Sequence, residues 1–174
     1  MWSRALATVL KFRTDSIDAV YERLLQEPDD MYKVARNFYG PEISEQYLYY
    51  FTQQVITYRN LTEALINSDY QKADQYWKSW NDTGDQIAEF LARINPYWER
   101  TQWQQLFQKY HLMVYYETLA IIAGDYKKEI EIYDRIIDHT IMMADYMSRG
   151  LIQNLASDSP ETSLPAQPNE NPTV

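Results

Sequence analysis

The chain contains an internal repeat with an offset of 56 residues, so that residues 48–94 resemble residues 104–150. Aligned in this way, the two segments share ten identities in 47 positions, where about three are expected by chance. Both copies carry the sequence Asp-Tyr-x-Lys, which begins at Asp69 in the first and at Asp125 in the second. Aspartate is a good helix N-cap, so each copy is predicted to be one helical hairpin with its turn at this motif.

Helical periodicity extends over nearly the whole chain. Pro28 and the pair Gly40-Pro41 are expected to end helices, and the pair Asn95-Pro96 is expected to begin one. The predicted helical segments cover residues 2–26, 29–39, 42–67, 69–94, 95–123 and 125–155. These segments predict an all-α protein, an antiparallel four-helix bundle of two duplicated hairpins with an additional N-terminal helix docked along it. The topology is that of a ferritin-like or up-and-down bundle.

The chain is predicted to form one domain over residues 1–155, followed by a tail over residues 156–174. This tail is rich in proline and contains little that could be buried, so it is expected to be disordered. No apolar stretch is long enough to span a membrane, and the N-terminus has no convincing cleavage site. The expected location is therefore the cytoplasm.

Composition excludes several classes of function. The chain has 16 Lys and Arg against 25 Asp and Glu, a formal charge of −9 that argues against nucleic-acid and membrane partners. It has no Cys, which excludes disulfides, thiolate nucleophiles and iron–sulfur clusters. Its 4 Gly residues form neither of the common phosphate-binding motifs. No cofactor is predicted.

Counting outward from the turns places one polar layer in the middle of the bundle. His111 and Thr140 of the second copy correspond to Val55 and Gly84 of the first, and all four are expected to share this layer. Gly84 would leave space there for a ligand, a metal ion or a pH-sensitive imidazole. The alternative is a core histidine that is hydrogen-bonded to Thr140 or to a water molecule.

Charged residues near this layer are candidate ligand-binding groups. Arg13 lies on the apolar stripe of the first helix, where its guanidinium either pairs with a carboxylate or extends to the surface. The candidate site around His111 comprises Thr140, Arg4, Arg13, Glu117 and Asp138.

The sequence contains no motif that indicates a metal site or a catalytic site. A di-iron bundle needs two Glu-x-x-His motifs, whereas this chain has none and contains 2 His. Adjacent helical residues point in different directions, so His139 is expected to face away from the layer of His111. No catalytic residue and no metal ligand are predicted.

Aromatic residues suggest a second kind of site. Trp98 and Trp103 lie beside the link between the hairpins, where they are expected to be exposed and to form an interface with a partner or with a second copy of the chain. The favoured function is that of a non-enzymatic structural or interaction protein. Its expected partner is a second copy of the chain, in a homodimer, or another protein. The alternative is a bundle that binds a small ligand or a metal around His111.

Several short segments stand out as motifs: Trp2-Ser3-Arg4, the run 80–98 ending in Asn95-Pro96-Tyr97-Trp98, His111-Leu112, Asp134-Arg135-Ile136 and residues 143–150. These segments resemble a family of uncharacterised bacterial helical-bundle proteins found mainly in Firmicutes, and the resemblance covers most of residues 2–155. It implies a helical bundle but no established activity. Some relatives carry the transferred name acetylglutamate kinase, an α/β enzyme whose Gly-rich loops this chain lacks. Relatives tend to have a His near the position of Gln54-Val55, and its absence here argues against a metal role.

Overall fold

A computed structural model describes residues 1–157 of the chain. Over these residues the protein is all-α, with no strands, and its helices pack in sequence against one another. No helix in this part of the chain is both long and apolar enough to cross a membrane. The five helices are α1 (Trp2–Phe12), α2 (Ile17–Ile66), α3 (Tyr70–Ile94), α4 (Arg100–Ala123) and α5 (Tyr126–Ser157).

Helix α2 is folded back on itself at Gly40. The backbone of Gly40 has φ 75° and ψ 179°, a conformation that glycine adopts without a steric penalty. Tyr21 and Arg59 are equally distant in sequence from Gly40, and the guanidinium of Arg59 lies 4.1 Å from the centre of the Tyr21 ring. The two arms of α2, residues 17–39 and 41–66, are therefore antiparallel. The predicted helix end at Gly40-Pro41 is confirmed.

The first predicted helix boundaries were wrong in two places. Helix α1 ends at Phe12, because Arg13 adopts a left-handed conformation and its N–H bonds to the carbonyl of Leu10. Pro28 does not end a helix, and the first arm of α2 runs through it. Proline removes one hydrogen bond from a helix, but Leu24 and Pro28 are both buried, so packing offsets that loss.

The link between α3 and α4 is also longer than predicted. Asn95-Pro96 does not begin a helix; Asn95 follows the end of α3, and its Oδ1 accepts a hydrogen bond from the backbone N–H of Tyr97. Its amide also donates to the carbonyl of Gly150 at 3.0 Å. Because Asn95 is fully buried and bonded on both sides, it holds the chain out of helical geometry, and α4 begins at Arg100.

The turns of the two repeat copies match the prediction. Asp69 accepts a hydrogen bond from the N–H of Lys72 at 3.2 Å, and Asp125 accepts one from the N–H of Lys128 at 3.1 Å. Helix α5 continues to Ser157, so the first two residues of the predicted tail are helical. The remainder of that predicted tail, residues 158–174, lies outside the described residues.

Helix α5 packs along α4 and stays apart from the first half of the fold. Within residues 1–157, no Cα atom of α5 lies within 8 Å of a Cα atom in α1, α2 or α3. Buried side chains form two clusters, one around Leu61 and Val114 and the other around Ile87 and Trp103. The separation between α2 and α5 leaves space beside both clusters.

Candidate functional site

A large cavity lies between both arms of α2 and the helices α4 and α5. Its volume is about 380 Å³, within the range that small-molecule sites occupy. Thr140 and Ala144 line it from α5 and are solvent-exposed, so the cavity opens on that side. Most of its wall is aromatic or aliphatic, with methionines from α2 and α5. The lining includes Ser3, Glu27, Met31, Tyr47, Gln54, Tyr58, Trp103, Tyr110, His111, Thr140, Met143, Ala144 and Met147.

His111 lies in the wall of this cavity and is 1% exposed. Its ring stacks on Trp80, with 4.1 Å between the ring centres. The Cε1 edge of the ring lies against Gly84. A Cβ atom on Gly84 would come within 2.7 Å of His111 Cε1. The predicted juxtaposition of Gly84 and His111 is therefore confirmed, and the absence of a side chain at Gly84 is what gives the imidazole its place.

Hydrogen bonding defines the tautomer of His111. The amide of Asn81 donates to the carbonyl of Trp77 at 2.7 Å, which turns Asn81 Oδ1 towards His111 Nδ1 at 3.4 Å. An amide oxygen accepts, so Nδ1 carries the proton and Nε2 carries a lone pair. Among residues 1–157, Nε2 has no hydrogen-bond partner. Burial lowers the pKa of His111 to about 3, so the ring is neutral at physiological pH.

One hypothesis had His111 hydrogen-bonded to Thr140 or to a water molecule, and Thr140 is not its partner. The Thr140 hydroxyl donates to the carbonyl of Ile136 at 2.7 Å, within its own helix. Because α5 stands away from α2, Thr140 is exposed at the cavity wall instead of being enclosed in a central layer. The partner of His111 is Asn81, which lies one turn before Gly84 on α3.

A second polar cluster joins α1, α4 and α5. The guanidinium of Arg4 forms an ion pair with Glu129, in which Nη2 lies 2.8 Å from Oε2, and it also lies 4.5 Å from the centre of the Tyr133 ring. Glu117 is 1% exposed, and its Oε1 has no hydrogen-bond partner within the described residues. Burial, together with the charge of Glu129, raises the pKa of Glu117 to about 7.

Comparison of the two repeat copies could have revealed this cluster. Glu117 and Glu129 occupy the positions of Leu61 and Ala73 in the first copy, both of which are buried in the core. A carboxylate that replaces a core residue at an equivalent position points to a buried charge that needs a partner. Glu117 and Arg4 were named from the sequence, whereas Glu129, which bonds directly to Arg4, was missed.

Two other predicted site residues do not join His111. Arg13 is exposed and reaches the side-chain oxygen of Asn67 at 3.4 Å, because it caps α1 and does not lie on a buried stripe. Asp138 is exposed on α5. His139 does face away from the layer of His111, but it is buried against α4, where its Nε2 lies 2.9 Å from the carbonyl of Leu106.

The predicted exposure of the two tryptophans was wrong. Trp98 is 3% exposed and Trp103 is 1% exposed. The indole of Trp98 donates to the carbonyl of Met147 and packs over Gly150, where a Cβ atom would overlap the ring. Both tryptophans therefore hold the link between the hairpins onto α5, and neither offers a surface to a partner.

Within residues 1–157, no group of three or more His, Asp and Glu side chains is arranged to hold a metal ion. Comparison with protein-family models, with curated proteins and with solved structures finds no match to this chain.

Proposed function

We propose that this protein binds a small, mainly apolar molecule in the cavity between α2 and α5, and that it acts as a binding protein. The observation that carries the proposal is the mainly apolar cavity of about 380 Å³, which is open on the side of α5. The aromatic and aliphatic side chains in its wall border accessible space, and a ligand that fills the cavity would remove their apolar surface from water.

The internal repeat accounts for the position of the cavity. We infer that segments 48–94 and 104–150 arose by duplication, as the hairpins of an antiparallel, ferritin-like four-helix bundle with the N-terminal helix docked beside it. In support, Thr62 and Thr118 are equivalent, buried, and bonded in the same way to the carbonyl four residues earlier, each at 2.9 Å. The cavity lies where α2 and α5 would otherwise close such a bundle.

Ligand binding can be tested with Nile red, an uncharged dye whose fluorescence rises in apolar surroundings. We expect saturable binding to the native protein and its loss in Ala144→Phe, which places a ring in the open side of the cavity. Met142→Phe is the matched control, because Met142 lies on the same helix, is exposed and does not line the cavity. Equal binding by both variants would place the dye elsewhere and would overturn the proposal.

A second candidate function is association between two copies of the chain. Ile130, Ile137 and Ile141 are 51%, 41% and 55% exposed and lie along one face of α5. Such a face can pair with its own copy about a two-fold axis. Sedimentation of the native protein and of Ile137→Lys tests this candidate, since a native dimer should become a monomer, and a native monomer would contradict it.

A further inference from the structure

We propose that two copies of the chain pair antiparallel along the outer face of α5, about a two-fold axis beside Ala144. This inference rests on the second candidate function, self-association, and adds the orientation and the alignment of the two helices. It does not depend on ligand binding in the cavity. It follows from the apolar side chains that α5 exposes, from the charges beside them and from the small residues between them.

Helix α5 is apolar on two opposite faces. Its inner face carries Ile132 and Ile136, which are buried in the core. Its outer face carries Ile137, Ile141 and Ile152, which are 41%, 55% and 66% exposed. These three are separated by 4 and 11 residues, and both spacings return to nearly the same side of an α-helix. A helix that is apolar all round is normally buried all round, so the outer face is expected to have a partner.

The charges of α5 favour an antiparallel partner. Its exposed charged side chains all lie on one side of the outer face, whereas the other side carries uncharged residues such as Thr140 and Ala144. In a two-fold antiparallel pair, each side of a helix meets the same side of its copy, and in a parallel pair it meets the opposite side. Antiparallel pairing therefore brings the charged sides together, and parallel pairing would place them over uncharged residues.

Arg149 and Asp138 determine the alignment. Both are exposed, and within residues 1–157 neither forms an ion pair. Arg149 lies five residues after Ala144, and Asp138 lies six residues before it. An axis beside Ala144 therefore places Arg149 of each copy opposite Asp138 of the other, which forms two ion pairs. With this axis Asp145 falls near Met142 of the other copy and has no carboxylate directly opposite.

The same axis matches the apolar side chains. Ile137 lies seven residues before Ala144 and Ile152 lies eight residues after it, so Ile137 of each copy packs against Ile152 of the other. Ile141 packs over Ser148, and Ala144 meets its own copy at the axis. Small residues at the point of contact let two helices approach closely.

The shared surface is of modest size. With this axis, residues 131–157 of the two helices overlap over about 40 Å, and a face about 10 Å wide covers roughly 400 Å² on each copy. A total of roughly 800 Å² is below the size of permanent protein interfaces. The pair is therefore expected to be weak and reversible.

Single cysteines report on the axis, because the chain has no Cys of its own. Ala144→Cys should form a disulfide with its own copy on mild oxidation, since a disulfide needs two Cα atoms within about 7 Å. Met142→Cys is the matched control, because Met142 is also exposed on α5 but lies off the outer face. The control should give at least about tenfold less crosslinked dimer. Equal crosslinking by the two variants would overturn the proposed axis.

A mixture of Ile137→Cys and Ile152→Cys, one of them carrying an affinity tag, tests the orientation. In an antiparallel pair, disulfides between the two variants should exceed those within each variant at least about fivefold. A majority of disulfides within each variant would show parallel pairing and would overturn the proposal.

Reversal of charge tests the proposed ion pairs. Arg149→Glu should weaken the dimer at least about tenfold in sedimentation, and adding Asp138→Arg should restore it. Arg135→Glu is the matched control, because Arg135 is exposed on α5 away from the outer face and the change in net charge is the same. Equal weakening by the two reversals, or no recovery in the double variant, would overturn the alignment.

The native protein decides whether the pair forms. All the substituted residues are exposed, so the variants are expected to fold. A native protein that stays monomeric up to about 100 µM would overturn both this inference and the second candidate function. Nile red reports on the cavity separately. A monomer that binds the dye would leave the proposed ligand binding standing, and a dimer that does not bind it would overturn that function alone.

Discussion

The imidazole of His111 fills the space that a side chain on Gly84 would occupy, and it stacks on the ring of Trp80, which lies one turn before Gly84 on α3. This arrangement orders the ring and leaves its Nε2 buried without a hydrogen-bond partner among the described residues. The fold therefore places one oriented polar side chain in the wall of a mainly apolar cavity. Several consequences of this arrangement can be measured.

Gly84→Ala should destabilise the protein. An added Cβ would lie 2.7 Å from His111 Cε1, so the ring or the helix would have to move, and overpacking of this kind costs about 1–3 kcal/mol. The better helix propensity of Ala offsets about 1 kcal/mol of that loss. In the His111→Val background the clash is gone, and Gly84→Ala should be neutral or stabilising. Urea denaturation of the four proteins of this cycle measures the coupling, and equal effects in both backgrounds would contradict the contact.

His111 should make the fold less stable in acid. Its pKa is lowered from 6.5 to about 3, so the unfolded chain takes up a proton that the folded protein excludes. Above about pH 6.5 the neutral ring costs the fold nothing. Below it, the free energy of unfolding falls by up to about 1.4 kcal/mol per pH unit as the pH decreases towards 3. The difference in unfolding free energy between His111→Val and the native protein should grow accordingly in acid. A difference that does not vary with pH would show that the ring is solvated.

Glu117 should make the fold less stable as the pH rises. Its pKa is raised from 4.5 to about 7, so the folded protein retains a proton that the unfolded chain has released. The native protein should therefore lose stability relative to Glu117→Gln as the pH rises from about 4.5 to about 7, with no further change above that range. Chemical denaturation at several pH values measures this difference. A constant difference would mean that Glu117 is ionised in the fold like an exposed carboxyl.

Arg4 should stabilise the contact between α1 and α5. Arg4→Met leaves the carboxylate of Glu129 buried without its partner, which should cost about 2 kcal/mol, less than for a fully buried pair because Arg4 is partly exposed. Lys78→Met is the control, because it breaks an exposed pair with Asp74 and should leave the free energy of unfolding nearly unchanged.

Rescue by a second substitution tests the cause of the Arg4 effect. Glu129→Ala, which introduces the residue of the first copy, should recover most of the stability that Arg4→Met loses, because no unpaired charge then remains. If Glu129→Ala in the Arg4→Met background gave a further loss of stability, the pairing would not be the cause.

Features that depend on local sequence were predictable. The N-caps at Asp69 and Asp125 follow from a motif of a few residues, and the position of Gly84 opposite His111 follows from counting equivalent residues outward from two matching turns. The repeat therefore placed the polar group at the centre of the candidate site. The repeat also indicates that Glu129 is buried, because it occupies the position of the core residue Ala73. Only a comparison of each pair of equivalent residues shows this.

Features that depend on tertiary packing were not predictable. The helix continues through Pro28 because Leu24 and Pro28 are buried by packing against the rest of the fold. Asn95 ends α3 because its amide bonds to the carbonyl of Gly150, which is distant in sequence. The burial of Trp98 follows from its contacts with Met147 and Gly150, which are distant in sequence. The exposure of Thr140 follows from the distance between α5 and α2, which helical periodicity does not determine. That distance also creates the cavity.

The central claim is that a small, mainly apolar ligand occupies the cavity whose wall includes His111, and nitrogen-15 NMR of the histidine rings during titration with 1-decanol, a small apolar alcohol, tests it most directly. The chain has 2 His, and His139, whose Nε2 already bonds to the carbonyl of Leu106, serves as an internal reference. We predict that the ring resonances of His111, which lines the cavity, move as 1-decanol binds, while those of His139, which does not line it, stay in place. Saturable binding of 1-decanol with no change at His111 would contradict the account.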